Sequence, residues 1–459
     1  MTTLPENSTV IAETLPRPAP VSFGVALRFW LWLGFVSFGG PAGQIAVMHQ
    51  ELVDRRRWIS ERRFLHALNY CMVLPGPEAQ QLATYIGWLL HGTRGGIAAG
   101  ALFVLPSLAM LIGLTWAYLA FGQAPVIAGV LYGIKPAVTA IVVQAAWRIG
   151  KRALHNAALW AIAAAAFIAI FALHLPFPLI VLGAAALGFI GGRIAPERFK
   201  AGGGHGGIKG GGAPCLIDDD AVVPHAVYRT AGLITVLLVG LALWASVWLA
   251  LVATLGSDNP ITRMATFFSG AALLTFGGAY AVLPYVFESA VNQFRWLSAG
   301  QMIDGLALGE TTPGPLIMIV AFVGFVGGWQ TDALASALGP GHLLASATLA
   351  ACVATWFTFL PSFVFILAGG PLVEATRNDL RLTAPLTGIT AAVVGVILNL
   401  ALFFAFHVLW PHGYPQPFEW PAALIGVVAL IALLRYGLSV PKLIGLCALA
   451  GLAIEFGLR

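Results

Sequence analysis

Apolar stretches of about 20 residues follow one another along most of the chain, and short polar or charged turns separate them. A helix needs about this length to cross the ~30 Å hydrocarbon core of a bilayer. A membrane β-barrel would instead show alternating segments of about ten residues. We therefore predict an all-α polytopic membrane protein with thirteen apolar segments, near residues 23–48, 64–90, 95–121, 125–146, 155–173, 177–192, 228–255, 264–288, 301–328, 342–369, 383–409, 418–435 and 440–457.

Composition and charge agree with this class. Of the residues, 59% are hydrophobic and 9% are charged, against about 25% charged in soluble domains. Residues 1–22 are polar and proline-rich, so we expect a cytoplasmic tail rather than a cleaved signal peptide. The four cysteines form no CxxC pair, and we predict no metal site, no disulfide framework and no cofactor. The net charge of +5 suits a membrane protein with basic cytoplasmic loops and does not indicate nucleic-acid binding.

A glycine-rich stretch near the middle divides the chain. Residues 193–227 contain KAGGGHGGIKGGGAPCLIDDD, a composition that predicts a flexible cytoplasmic linker. Its Lys209 is followed by Gly210, so the stretch does not form a nucleotide-binding loop of the GxxxxGK[ST] type. The predicted units are a first membrane repeat at 23–192, an unpaired helix at 228–255 and a second repeat at 264–457.

The two halves carry the same landmarks in the same order. Phe38-Gly39-Gly40 matches Phe276-Gly277-Gly278, and 276 − 38 is 238. The same offset relates Pro75-Gly76-Pro77 to Pro313-Gly314-Pro315, and an offset of 255 later relates Pro106-Ser107 to Pro361-Ser362. Seven segments, an odd number, separate each element from its copy. The pattern therefore predicts two inverted repeats in a 6+1+6 arrangement, typical of secondary transporters.

The distribution of basic residues supports this orientation, with one conflict. Most lysines and arginines fall on a single side, which should be cytoplasmic. The loop DRRRWISERR at 54–63 carries five arginines, yet simple counting places it outside. If the first two segments of each half turn back as re-entrant hairpins, the conflict disappears and the inversion remains. The sequence leaves both arrangements open.

The shared motifs must break their helices. Proline lacks an N–H and displaces the preceding residue from the α region, so a helix should end near Leu74 and restart at Pro77. Broken backbone at membrane depth occurs where it is buried or lines a cavity, and a restarted half-helix offers N–H groups to an anion. The alternative is that these residues only kink helices for packing. The candidate substrate-binding residues are Gly39, Gly40, Pro41, Pro75, Gly76, Pro77, Gln80, Gln81, Lys135, Gly277, Gly278, Thr311, Thr312, Pro313, Gly314 and Pro315.

Ionisable residues inside the apolar segments are functional candidates. Glu310 lies near the carboxyl end of its half-helix, where the helix dipole and the low dielectric both disfavour a carboxylate, so we predict a proton carrier. Glu78 follows Pro77 at a helix start and is a second proton-coupling candidate, or else a favourable helix-start acid. Lys135 could balance an anion or could extend its ammonium group to the interface.

The motifs resemble those of the chromate ion transporter (CHR) family, over residues 23–457. The resemblance is carried by FGGPAGQ, RRRWIS, LPGPEAQQLATYIGWLLHGTRGG and ETTPGPLIMIVAFVGF. It implies a bacterial inner-membrane protein that exports chromate, driven by the proton motive force. The second half has Ala279 where the first has Pro41, so the two sites need not be equivalent. Carried over by position, the family's motif residues are Phe38, Gly39, Gly40, Pro41, Trp58, Pro75, Gly76, Pro77, Phe276, Gly277, Gly278, Trp296, Pro313, Gly314 and Pro315.

Several functional readings remain beside chromate export by alternating access. A sulfate or general oxyanion transporter would use the same kind of site, because sulfate is an isosteric dianion. A passive anion channel would need no titrating carboxylate. A membrane-embedded enzyme such as a chromate reductase is disfavoured, since the chain shows no CxxCH, no dinucleotide fingerprint and no clustered cysteines. The expected partners are the oxyanion, protons and the lipid bilayer, and a homo-oligomer is left open.

Overall fold

The computed structural model describes residues 18–38, 40–122, 124–199, 214–218, 223–276, 278–375, 383–411 and 413–457. These residues form helices and contain no β-strand, as predicted for an all-α membrane protein. Seven of the described helices are long and apolar enough to cross a membrane. The helices are α1 Phe23–Val36, α2 Gly40–His49, α3 Glu61–Val73, α4 Glu78–Phe121, α5 Pro125–Ala153, α6 Ala157–Phe171, α7 Phe177–Ile194, α8 Thr230–Leu255, α9 Pro260–Leu273, α10 Ala279–Phe287, α11 Ala299–Thr311, α12 Ile319–Gln330, α13 Ala335–Leu338, α14 Leu343–Ala375, α15 Thr383–Leu409, α16 Trp420–Arg435 and α17 Val440–Gly457.

The helices next to the predicted breaks are short. Helix α1 has 14 residues, which amounts to about 21 Å at 1.5 Å per residue and is less than a bilayer core. Helix α3 has 13 residues and ends at Val73, because Leu74 before Pro75 is extended (ψ 148°). Ser60 caps the start of α3 by accepting a hydrogen bond from the backbone N–H of Arg63 at 3.1 Å. The break predicted inside the segment 64–90 is therefore present.

The chain turns back at the first break and forms a hairpin, hairpin 1a, from α1, α2 and the π-helical turn Gln50–Arg55. The Phe29 ring lies 5.0 Å from the Trp58 ring and 4.8 Å from the Arg56 guanidinium carbon. Phe29 lies in the middle of α1, whereas Arg56 and Trp58 follow the turn. A chain that continued in one direction would separate these side chains by about 40 Å at 1.5 Å per residue.

The second break forms another hairpin, hairpin 1b, from α3 and the first part of α4. The rings of Tyr70 and Tyr85 lie 5.7 Å apart across it. Helix α4 then reverses again where His91 and Gly92 leave the helical conformation. Glycine is required at position 92, because its φ is +63° and its ψ is −157°. The rest of α4 therefore packs back along the hairpin, in agreement with separate segments predicted at 64–90 and 95–121.

The second half repeats both hairpins. Hairpin 2a consists of α9, α10 and the π-helical turn Glu288–Gln293, and Phe267 lies 5.8 Å from Trp296 across it. Hairpin 2b consists of α11 and α12, whose outer ends are joined by a 3.0 Å hydrogen bond from Gln330 Nε2 to Gln301 Oε1. The residues Phe29 and Phe267, and Trp58 and Trp296, are each 238 positions apart.

The helices pack as two bundles. The scaffold bundle consists of α5, α6, α7, α15, α16 and α17, which pack chiefly on one another. The hairpin bundle consists of the four hairpins with the rest of α4, α8 and α14. Helices α10 and α11 pack against α15 and α5 and so connect the two bundles.

Part of the predicted linker is packed against hairpins 1a and 1b. Residues 200–213 lie outside the described residues, but Cys215 and Ile217 are buried. Ile217 donates its N–H to the Trp58 carbonyl at 3.0 Å, and its own carbonyl accepts from the Ser60 N–H at 3.0 Å. The expectation of a flexible linker therefore does not extend to residues 214–218.

Candidate functional site

Each hairpin has a tip, which is the break between its two helices. The four tips meet in pairs, and each pair joins one tip from each repeat. The Gly76 N–H of hairpin 1b donates to the Thr275 carbonyl of hairpin 2a at 2.7 Å. The Gly314 N–H of hairpin 2b donates to the Ser37 carbonyl of hairpin 1a at 2.8 Å. Both pairs obey the offset of 238, so the contacts are reciprocal. The Pro-Gly-Pro break of each half thus meets the end of the first helix of the other half's first hairpin.

Each tip also lies against a serine of the other repeat. A β-carbon at Gly76 would clash with the Ser362 hydroxyl of α14, and one at Gly314 would lie 2.6 Å from Cβ of Ser107 in α4. Ser107 and Ser362 are the pair related by the offset of 255. Gly76 has φ +132° and Gly314 has φ +106°, values that L side chains rarely adopt. Glycine is therefore required at both tips for conformation and for space.

Buried polar atoms without hydrogen-bond partners concentrate at these tips. Within the described part of the chain, they include the hydroxyls of three serines and the amide oxygens of three glutamines. Such groups are rare in folded proteins, since leaving one unpaired costs about 1–3 kcal/mol. They are groups that could bind a polar ligand or ordered water. We call these residues the tip cluster: Ser37, Gln44, Gln80, Gln81, Ser107 and Ser362.

The glutamines of the tip cluster are held in place by their amide nitrogens. Gln81 Nε2 donates to the Pro75 carbonyl at 2.8 Å, and Gln80 Nε2 donates to Thr84 Oγ1 at 3.0 Å. Gln44 Nε2 donates to the Gly314 carbonyl. Two of these bonds are to the broken backbone itself, so the side chains fix the tips while their oxygens remain unpaired.

Glu78 directs its carboxylate at the opposite repeat. A β-carbon at Gly278, which caps α10 with φ +92°, would lie 3.7 Å from Glu78 Oε1. Negative charge is stabilised at a helix N-terminus, both from a side chain and from a bound anion. The equivalent position in the second half is Leu316. This part of the site is therefore not symmetric.

Glu310 is buried and hydrogen-bonded. It accepts a 2.6 Å hydrogen bond from the hydroxyl of Tyr280 in α10. Glu310 belongs to α11, one of the two helices that connect the bundles. The position equivalent to Glu310 in the first half is occupied by Met72. The two predicted proton-coupling candidates thus belong to different tips and have different surroundings.

The remaining predicted residues are placed as follows. Gly40 has φ +67° and precedes Pro41 in the first turn of α2. Pro75, Pro77, Pro313 and Pro315 flank the two tip glycines, as predicted. The Thr311 and Thr312 hydroxyls donate to carbonyls of their own helix, to Leu308 at 2.8 Å and Gly309 at 3.1 Å. Gly39 and Gly277 lie outside the described residues.

Lys135 is not part of the tip cluster. Its Nζ lies 3.3 Å from Oδ1 of Asp304 in α11, and both line a separate cavity of about 480 Å³. The sequence prediction named neither Asp304 nor the serines and Gln44. A signal existed for Ser107 and Ser362, because the duplicated Pro-Ser pair was visible as a landmark.

Comparison with known proteins identifies the family. The family model described as "Chromate transporter" matches residues 25–189 and 262–452. A chromate transport protein of Pseudomonas aeruginosa is 34% identical over 392 residues, 84% of this chain and 82% of that protein. A probable chromate transport protein of Synechococcus elongatus is 27% identical over 92% of this chain and 93% of its own length.

A chromate transport protein of Cupriavidus metallidurans is likewise 27% identical over 93% of this chain and 92% of its own length. No solved structure matches the chain. The sequence resemblance seen in the duplicated motifs is therefore confirmed by matches over most of the length. The chain belongs to the chromate transporter family.

Proposed function

We propose that the protein is a secondary active transporter that exports chromate across the bacterial inner membrane, with the tip cluster as its anion site. The observation that carries the proposal is the set of unpaired, buried serine hydroxyls at tips contributed by both repeats, in a chain of the chromate transporter family. Chromate is a tetrahedral dianion whose oxygens accept hydrogen bonds. The serine hydroxyls and the start of α10 offer matching donors.

The packing supports an inverted arrangement of the repeats. The outer ends of hairpins 1a and 1b lie with residues 214–218 and the end of α14, as the Arg63–Glu374 pair at 2.7 Å and the Ile217 contacts show. The outer end of hairpin 2b lies with the end of α4 and the end of α15, where Gln301, Gly122 and His407 line one cavity. The first set carries the loop with five arginines, so we assign it to the cytoplasm.

The bundles suggest how access alternates. The tip cluster belongs to the hairpin bundle, and its contacts with the scaffold bundle run through α10 and α11. Movement of one bundle against the other would expose the tips to the cytoplasm and to the outside in turn, as in other inverted-repeat transporters. Protonation at Glu78 or Glu310 is the proposed source of coupling, since Glu310 lies on the connecting helix α11.

The function is tested by uptake of radiolabelled chromate into proteoliposomes with an imposed ΔpH and an excess of unlabelled sulfate. We expect gradient-dependent uptake that sulfate does not suppress. Strong suppression by sulfate would indicate a general oxyanion transporter. Uptake that follows only the chromate gradient would indicate a passive channel and would refute proton coupling.

Replacing Glu310 with glutamine should separate chromate movement from the proton gradient. The glutamine can still accept the hydrogen bond from Tyr280, but it cannot carry a proton. We expect chromate–chromate exchange without a gradient to continue, while accumulation driven by ΔpH is lost. The control is Glu288→Gln, because Glu288 is exposed on the neighbouring turn of hairpin 2a. If chromate accumulation by Glu310→Gln still depends on ΔpH, Glu310 does not carry the coupled proton and has a structural role.

A further inference from the structure

A polar cavity lies away from the tip cluster. It has a volume of about 480 Å³ and is bounded by the ends of α4, α15 and α17 and the starts of α5, α11 and α16. Its position is the face opposite the arginine-rich loop, at the outer end of hairpin 2b. The side chains that reach it include Tyr118, Lys135, Asp304, His407, Glu419 and Glu455.

The charges of this cavity do not suit an anion. Three carboxylates, those of Asp304, Glu419 and Glu455, line it together with one lysine and one histidine. Glu419 accepts a 2.9 Å hydrogen bond from the hydroxyl of Tyr132 and is held at the wall. A dianion in this cavity would meet like charges at short range, which is unfavourable. Protons are attracted by the same groups.

Asp304 is a buried carboxylate of the cavity, and its two partners lie on other helices. Its side chain is only 5% exposed, whereas that of Lys135 is 34% exposed. Tyr118 of α4 donates to Oδ2 at 3.0 Å, and Lys135 of α5 lies 3.3 Å from Oδ1. The other titratable groups that line the cavity are Tyr132 of α5, His407 of α15, Glu419 at the start of α16 and Glu455 of α17.

Asp304 lies where the cavity meets the contact between the scaffold bundle and the hairpin bundle. Lys135 belongs to the scaffold bundle and Asp304 to the hairpin bundle, so their ion pair ties the two bundles together. Asp304 and Glu310 lie on the same helix, six residues apart, which is about 9 Å along the axis. A proton bound by Asp304 would remove the negative charge that holds Lys135 and would loosen this tie.

We propose that Asp304 is a proton-binding site, distinct from Glu78 and Glu310, and that the cavity gives it access to protons on the side opposite the arginine-rich loop. The proposal rests on the proposed function, since it names the point at which the proton gradient acts on the transporter. Lys135 is then the partner that Asp304 releases when it binds a proton, and not a ligand of chromate.

The test compares wild type, Asp304→Asn and Glu288→Gln in proteoliposomes. We expect Asp304→Asn to keep chromate–chromate exchange and to lose accumulation driven by ΔpH, falling to the level seen without a gradient. Glu288→Gln, which removes an exposed carboxylate that does not line the cavity, should accumulate chromate as wild type does. Full ΔpH-driven accumulation by Asp304→Asn would overturn the proposal.

A double variant separates a proton site from a simple counter-charge. If Asp304 only neutralises Lys135, then removing both charges in Asp304→Asn/Lys135→Gln should restore ΔpH-driven accumulation, and the proposal fails. If Asp304 carries the proton, the double variant stays uncoupled. The double variant also serves if Asp304→Asn does not fold, because it leaves no unpaired lysine behind.

Infrared difference spectra test proton binding by Asp304 without measuring transport. A pH step applied to the purified protein should change the absorption of protonated carboxyl groups, and the part due to Asp304 should be missing in Asp304→Asn. If wild type moves no chromate, the proposed function fails, and this spectrum alone decides whether Asp304 binds a proton. Identical spectra of wild type and Asp304→Asn would refute the site.

Discussion

Replacing Gly76 or Gly314 with alanine should abolish most chromate transport. Both tips require φ values that an L side chain rarely adopts, +132° and +106°, and a left-handed backbone costs about 1–2 kcal/mol per residue. The new methyl group would also lie closer than 3.0 Å to Ser362 or Ser107, and overpacking costs about 1–3 kcal/mol. The tips must therefore move away from the tip cluster.

The expected loss in the initial rate of chromate uptake is about tenfold or more, since about 1.4 kcal/mol corresponds to a factor of ten. Gly113→Ala is the matched control, because a β-carbon at this helical position in α4 would meet nothing within 4 Å. Uptake rates should be compared at equal amounts of monodisperse protein. Wild-type rates in both tip variants would show that the tips do not form the transport site.

The second large effect concerns stability and is expected for Glu374→Gln. Glu374 at the end of α14 forms a 2.7 Å ion pair with Arg63 of α3, and both side chains are only 5% exposed. Tyr85 of α4 donates a further 2.6 Å hydrogen bond to the same carboxylate. Breaking a buried ion pair by removing one partner typically costs about 3–5 kcal/mol, because the other charge remains buried.

We therefore expect a large drop in the thermal unfolding temperature of Glu374→Gln in detergent. The control is Asp258→Asn, which removes an ion pair of similar length, 2.8 Å to Arg263, but on the surface, where Asp258 is 91% exposed. Exposed pairs contribute little to stability, so this variant should unfold as wild type does. Equal unfolding temperatures for both variants would mean that the network does not hold hairpin 1b to α14.

Much of the local structure was predictable from the chain itself. The breaks at Pro75 to Pro77 and Pro313 to Pro315 follow from the missing N–H of proline and its effect on the preceding residue, which are properties of a few adjacent residues. The duplication at offsets of 238 and 255 was equally visible, and the π-helical turns and capping serines at matching positions agree with it.

The direction of the chain after each break was not predictable. A break at Leu74 permits either a helix that continues across the membrane or a hairpin that turns back. Contacts between residues distant in sequence decide this, such as Tyr70 with Tyr85 and Phe29 with Trp58. Other long-range contacts, the Arg63–Glu374 ion pair and the Ile217 hydrogen bonds, place the arginine-rich loop with the end of α14 and residues 214–218.

The sequence by itself determined the helical class, the duplication, the breaks and the family resemblance, because these depend on residue type and spacing along one chain. Only the tertiary structure decided which tips meet, that Gly76 reaches Thr275 and Gly314 reaches Ser37, and that Lys135 pairs with Asp304. The physical reason is that a hydrogen bond or an ion pair acts over a few ångströms of space. Residues more than 150 positions apart in sequence come within that range only when the bundles pack.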